Sequence, residues 1–228
     1  MEELWQGFIK ALELIVTLDP EVMEIAGRSL RISITSALIA SLICLPLASI
    51  IHFNNFPGKR AIVNLVQTLY FIPTVAVGLF VFVFISRAGP FGALDILFTP
   101  TGIVIGQVIL IVPIILGLTI SALSGVDRTM IDTARSLGAS TPQITFLILK
   151  EARFAVMAAV IMGFGRAISE VGISLIVGGN IRGFTRVITT AISLESSKGD
   201  IELSLALGMI LIFLALIASI LLNRIQQR

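Results

Sequence analysis

Arg166 and Glu170 stand four residues apart inside an otherwise uncharged apolar run, residues 154–177, long enough to cross a bilayer core. At about 1.5 Å per residue, Arg166 lies roughly 18 Å along a helix from Phe154, near the middle of such a span. A guanidinium at that depth costs on the order of 2.5–3.5 kcal/mol on insertion scales, so it must face protein or water and have a partner. Glu170 falls on the same helix face. The pair has two readings. It ties helices of a bundle together, or it lines or gates a path for a permeant anion, with Glu170 holding Arg166 when no anion is present. Arginine placed before glutamate is the weaker order for such a pair, which favours partners on other helices.

A second group with chemical reach follows at residues 178–190. Gly178, Gly179 and Gly183 permit a backbone with exposed amides, and Asn180, Arg182, Thr185, Arg186, Thr189 and Thr190 supply donors around it. Amides and guanidinium forks suit a tetrahedral oxyanion. The plainer reading is a glycine-rich turn with solvated cations. In residues 70–74, Pro73 breaks a helix and frees a carbonyl near Phe71, while Thr74 adds a hydroxyl; the break is either a hinge beside a path or a kink that shapes packing. The sole cysteine, Cys44, and sole histidine, His52, cannot by themselves build a disulfide, haem, copper or zinc centre. No HExxH and no GxxxxGK[ST] occurs, so metal-dependent hydrolysis and ATP hydrolysis are not expected of this chain.

The elements that must hold these residues are membrane helices. Of 228 residues, 56% are hydrophobic and 13% charged, and the mean hydropathy is +1.03, well outside the soluble range. A net charge of +2 with scattered cations gives no nucleic-acid footprint. Five spans are expected, at about residues 25–51, 61–86, 96–125, 154–178 and 202–223, in one domain covering 1–228. Ahead of them, Leu4, Trp5, Phe8, Ile9, Leu12 and Ile15 recur at helical spacing. This predicts an amphipathic helix that lies in the membrane interface with Trp5 as anchor, or packs as a terminal helix. Glu2 and Glu3 argue against a secretory leader. Asp19, Pro20 and Glu21 read as cap, first helical position and first-turn acid of the next helix.

Between the third and fourth spans lies a polar insert, residues 126–153. It carries Asp127, Arg128, Asp132, Arg135, Lys150, Glu151 and Arg153, whereas residues 96–126 carry no charge. Asp127 is expected to cap a short helix that ends at Gly138 in the left-handed conformation. Thr141 is expected to cap a second helix, with Pro142 at its first position. With five spans, the insert's side of the membrane holds Lys59, Arg60, Arg128, Arg135, Lys150, Arg153, Arg224 and Arg228. The other side holds Lys10, Arg28, Arg31, Arg87, Arg182, Arg186 and Lys198. Eight cations against seven do not orient the chain.

The insert resembles the EAA loop of the membrane subunits of prokaryotic ATP-driven importers, in which Glu-Ala-Ala is followed after three residues by Gly and after nine more by Ile-x-Leu-Pro. Asp132, Thr133 and Ala134 stand for the first element, Gly138 and Ile148 follow at the family spacing, and Lys150 and Glu151 replace Leu-Pro. The segments 164–172 and 178–186, with the tail 189–200 and the pieces 72–78 and 86–92, resemble permeases for molybdate, sulfate and especially tungstate. The resemblance implies an all-α, type I importer permease that forms a homodimer, with ATP used by two cytoplasmic ATPase subunits and no cofactor bound by this chain. It further implies an extracytoplasmic oxyanion-binding protein and a multi-pass position in a prokaryotic inner membrane among lipid, with the N-terminus outside and the C-terminus in the cytoplasm. On that basis Asp132, Thr133, Ala134, Gly138 and Ala139 couple to the ATPase; Arg166, Glu170, Pro73 and Thr74 lie on the path or gate; and Asn180, Arg182, Arg186 and Thr189 face the anion outside. A sulfate- or phosphate-type permease is the nearest alternative. An ion-coupled secondary carrier titrating Glu170 is a second.

Overall fold

The computed structural model describes residues 2–226, all-helical between turns. The side chains of Glu2, Glu3 and Leu4, and the cation Arg228, all used in the sequence reading, lie outside what is described. Helix α1 (Glu2–Val16) is amphipathic and packs along the last helix, α10 (Ile201–Gln226), through Gly7 and the buried Ala11. Trp5 stays 65% exposed. Of its two expected roles the packed terminal helix is the one seen, with one edge on α10 and one aromatic edge left outward.

Asp19 accepts from the N–H groups of Glu21 and Val22 and starts α2 (Pro20–Phe53), a single helix of 34 residues. Its hydroxyls Ser29, Ser36, Ser41 and Ser49 bond carbonyls one turn back, which satisfies them within an apolar element. Small residues Ala37, Ala40, Cys44 and Ala48 form a stripe that lets α2 lie close against α5 (Pro100–Ser124). Helix α5 is the centre of the bundle; Ile103, Ile111, Ile115 and Leu123 are fully buried. It begins four residues later than the uncharged run because Thr99 caps it with Pro100 in first place. By length and composition α2, α5 and residues 201–224 of α10 can each cross a membrane.

Two expected spans are not straight helices. Residues 61–86 divide into α3 (Lys59–Thr68), a 3-10 turn (Leu69–Phe71) and α4 (Thr74–Ile85), bent by 101°. Pro73 has no N–H to continue the ladder and holds Ile72 extended, at φ −62° and ψ 133°. Residues 154–178 fall on the second half of α7 (Thr141–Ile168) and on α8 (Gly172–Gly178), parted at residues 169–171. Beyond them, residues 188–198 form α9, a helix where the sequence predicts only the end of a glycine-rich loop. Exposed Leu38, Leu42, Phe80, Val83, Phe213, Leu216 and Ile220 give α2, α4 and α10 apolar outer faces suited to lipid.

Candidate functional site

The two helix breaks meet. Helices α4 and α8 pack together, and a Cβ built on Gly78 would stand 3.2 Å from Ile173 Cα, so glycine permits an approach that any larger residue would push apart. At the break itself Thr74 Oγ1 lies 3.2 Å from the place of a Cβ on Gly172, and Glu170 Oε1 lies 3.3 Å from it. Pro73, Thr74, Glu170 and the N-terminus of α8 thus share one locus.

Glu170 joins its parts. Its side chain is 2% exposed; Oε2 accepts from Arg166 Nη1 at 2.9 Å and Oε1 from the Ile173 N–H at 3.1 Å. The expected partner on another helix is replaced by Arg166 itself, because the break turns the carboxylate back onto the preceding turn while it caps the next. The Glu170 carbonyl, released from helical bonding, accepts from Thr189 Oγ1 of α9 at 2.8 Å and from Ser174 Oγ at 3.2 Å. Arg166 keeps 35% of its side chain exposed. Arg166 is therefore partly open to its surroundings while Glu170 is closed off.

Gln107 was missed by the sequence reading. Its Nε2 donates to the Ala167 carbonyl at 3.0 Å, and its Oε1 lies 2.9 Å from Ser36 Oγ, whose single proton also serves Ile32 O at 2.8 Å. Buried at 2% exposure, Gln107 links α2, α5 and the last turn of α7. It was findable, being the one amide side chain in the uncharged run of residues 96–126.

The glycine-rich segment differs from expectation. Much of its backbone is turned on itself: the Ile181 N–H donates to Thr185 Oγ1 at 2.9 Å, and those of Phe184, Thr185 and Arg186 all go to Ile181 O. Thr185 Oγ1 in turn donates to Gly178 O at 2.6 Å. A small loop that bonds its own backbone leaves few donors for a ligand. Arg186 is buried and pairs with Glu195 at 3.3 Å and Glu21 at 3.9 Å; Arg182 is exposed and bonds Glu21 at 2.5 Å, which raises its pKa further. Arg28 pairs with Glu24 and donates to Arg186 O at 2.9 Å. Asn180 reaches Thr190 O at 3.4 Å and Thr189 is turned in to Glu170, so Asn180, Arg182, Arg186 and Thr189 do not converge on one open point. Arg182 and Arg186 do line a cleft of about 410 Å³ with Glu21, Glu24 and Arg28, and Arg186 Nε has no bond partner among the described residues.

The insert forms a helical elbow with few partners. Asp127 accepts from both the N–H and the hydroxyl of Thr129, at 2.9 and 2.7 Å, and starts α6 (Arg128–Ser136). Gly138 takes φ +82°, and the Gly138 and Ala139 N–H groups close the helix on Arg135 O and Ala134 O. The next cap is Ser140 rather than Thr141, because Gln143 reaches back to its N–H at 2.7 Å. Asp132, Thr133 and Gly138 are exposed, Ala134 and Ala139 are half-buried, and Leu137 presents 83% of its surface. Among the described residues, no three of His, Cys, Asp and Glu are placed to hold a metal ion.

The family described as "Binding-protein-dependent transport system inner membrane component" matches residues 33–228. The chain belongs to that family. As an inner-membrane component it is a multi-pass membrane protein. It is 38% identical over 227 residues to the tungstate uptake system permease protein TupB of Peptoclostridium acidaminophilum, covering 100% of both chains. To TupB of Campylobacter jejuni it is 35% identical over 227 residues, covering 100% of this chain and 95% of that one. A chain of a bacterial alginate ABC transporter, solved with an alginate-pentasaccharide-bound periplasmic protein, superposes with TM-score 0.70 over 99% of this component and 86% of its own length. At 20% identity that likeness concerns the fold.

Proposed function

We propose that this chain is the pore subunit of an ATP-driven importer for a tetrahedral oxyanion, with tungstate the leading substrate and molybdate next. The observation that carries the substrate is the end-to-end similarity to tungstate uptake permeases at 38% and 35% identity. The geometry supports the mechanism. Helix α6 buries no residue within this chain, and its left-handed stop at Gly138 holds it as a short exposed rod, the form a docking element needs. ATPase closure on α6 pulls on α7 through the capped elbow at Ser140. The force then reaches Ser169 and Glu170, where α7 breaks against Pro73 and Thr74. Arg166, paired but part-exposed, meets the anion, and Glu170 takes it back when the path empties.

In this reading two copies enclose the path, two cytoplasmic ATPase subunits hydrolyse ATP, and an outer binding protein delivers the anion. The insert and C-terminus lie in the cytoplasm and the N-terminus outside. Elemental mass spectrometry of tungsten and molybdenum entering cells at nanomolar supply, with and without this gene and with excess sulfate, tests it. Loss of tungsten uptake in the deletion, unaffected by sulfate, is the expected result. Normal entry of both metals with reduced sulfate or phosphate uptake would move the assignment to those anions.

A further inference from the structure

Two polar clefts stand at opposite ends of α2, a helix about 50 Å long at 1.5 Å per residue. The one at Pro20 contains Arg28, Arg182 and Arg186, and Glu24, Glu21 and Glu195 respectively pair with them. Glu21 and Glu24 line the cleft itself and Glu195, shared with Lys198, stands behind Arg186, so each arginine of the outer cleft already has a carboxylate partner. The cleft at the other end holds about 350 Å³ and is lined by His52, Asn55, Lys59, Arg60, Asn64 and Ser124. No carboxylate lines it, and neither Lys59 nor Arg60 forms an ion pair among the described residues.

Its donors are arranged for a ligand with several acceptor oxygens. Lys59 Nζ donates to His52 O at 2.7 Å and Asn54 O at 3.1 Å, which fixes its position and leaves a third proton. Arg60, exposed and without a bond among the described residues, presents a full guanidinium fork. Helix α3 starts here with Gly58 as its cap, at φ +88°, so no side chain covers its first-turn N–H groups. Asn55 and Asn64 add neutral amides. Ser124, which donates to Ile120 O, is left to accept from His52 Nδ1 at 3.3 Å. Ser124 also ends α5, four residues before α6 begins, so the cleft opens at the docking-loop end of the bundle.

We propose that this inner cleft is an oxyanion site, taking a tetrahedral dianion that has passed through the pore or the phosphate of an anionic lipid headgroup. The importer reading bears only on which source supplies the anion; the charge imbalance between the clefts stands without it. The test uses the assembled transporter with its ATPase subunits, free of nucleotide and outer binding protein, in phosphatidylcholine nanodiscs. Tungstate, sulfate and inorganic phosphate binding are measured for the wild type, Arg60→Gln, Asn64→Asp and Arg182→Gln. A parallel set purified from phosphatidylglycerol-containing membranes is weighed by native mass spectrometry for retained lipid.

The expected result is one anion per permease chain, weakened tenfold or more by Arg60→Gln and by Asn64→Asp, and unchanged by Arg182→Gln. Retention of phosphatidylglycerol by the wild type and its loss in Arg60→Gln, with no free-anion binding, assigns the site to the headgroup. Equal anion binding and lipid retention in wild type and Arg60→Gln overturns the proposal, as does equal weakening by Arg182→Gln. Because sulfate and phosphate are run beside tungstate, an importer of another anion still reveals the cleft, and failure of every ligand removes the cleft while leaving the importer reading in place.

Discussion

Glu170 carries two bonds that different substitutions separate. Glu170→Ala removes the Arg166 partner and the acceptor of the Ile173 N–H together, and leaves a guanidinium in the bundle without its carboxylate. Breaking a buried pair typically costs 3–5 kcal/mol; with Arg166 part-exposed, a loss of about 2 kcal/mol is expected, read as a lower Tm of the purified complex. Glu170→Gln keeps an acceptor for Ile173 and should lie between. The double change Arg166→Met with Glu170→Met separates tie from gate: recovered thermal stability with uptake still absent marks a path residue, whereas recovered uptake marks a structural tie. At the insert, Asp127→Ala should fray the start of α6 while Asp127→Asn keeps the cap, checked by ATPase activity per molecule of substrate imported. Donation from Thr129 holds the Asp127 carboxyl below its ordinary range. The sign follows: this cap is fully present above the unfolded aspartate value and is lost only as pH falls through the lowered folded one, so coupling should not change between neutral pH and the ordinary carboxylate range.

At the scale of elements, how far the sequence could be read depended on the range of the forces involved. Caps and stops are local, and Asp19, Asp127 and Gly138 were all readable; Ser140 displaced Thr141 because a single side chain, Gln143, decides between neighbours. The break at Pro73 was visible as a proline, but its 101° bend was not, since the angle is set where α4 lands on α8. Glu170 was visible as a misplaced charge. That it ends α7 and starts α8 follows from where its oxygens find donors, which spacing alone does not give. Helix α9 was missed because its N-terminus is fixed by contacts from afar, Ser29 accepting from the Ile188 N–H and Thr189 reaching Glu170 O. Two substitutions test the elements separately. Gly138→Val forces a β-branched residue to φ +82° and should leave assembled ATPase that hydrolyses without import. Gly78→Leu meets Ile173 backbone at 3.2 Å, splays α4 from α8, and should cut import with ATPase docking intact, as read by co-purification of the two subunits.

Across the whole molecule, charge is distributed unevenly between the two ends. Residues 161 positions apart in sequence, Glu21 and Arg182, meet at the end where α2 starts, and with Glu195 they leave its arginines compensated. No pattern within residues 178–190 could have indicated this, since the neutralising carboxylates come from α2 and α9. Glu195→Gln should consequently leave buried Arg186 underpaired and lower stability more than Glu24→Gln, which removes a half-exposed pair. Between the ends, α2, α4 and α10 turn apolar faces outward, while the two breaks, at residues 72–73 and 169–171, and the buried Glu170 carboxylate sit inside. The most direct test is tungsten accumulation in proteoliposomes holding the permease and its ATPase subunits, with binding protein and tungstate on one face and ATP on the other. Uptake that needs both ATP and the binding protein is the predicted result. Accumulation without the ATPase subunits, driven by an imposed proton or sodium gradient, would contradict it.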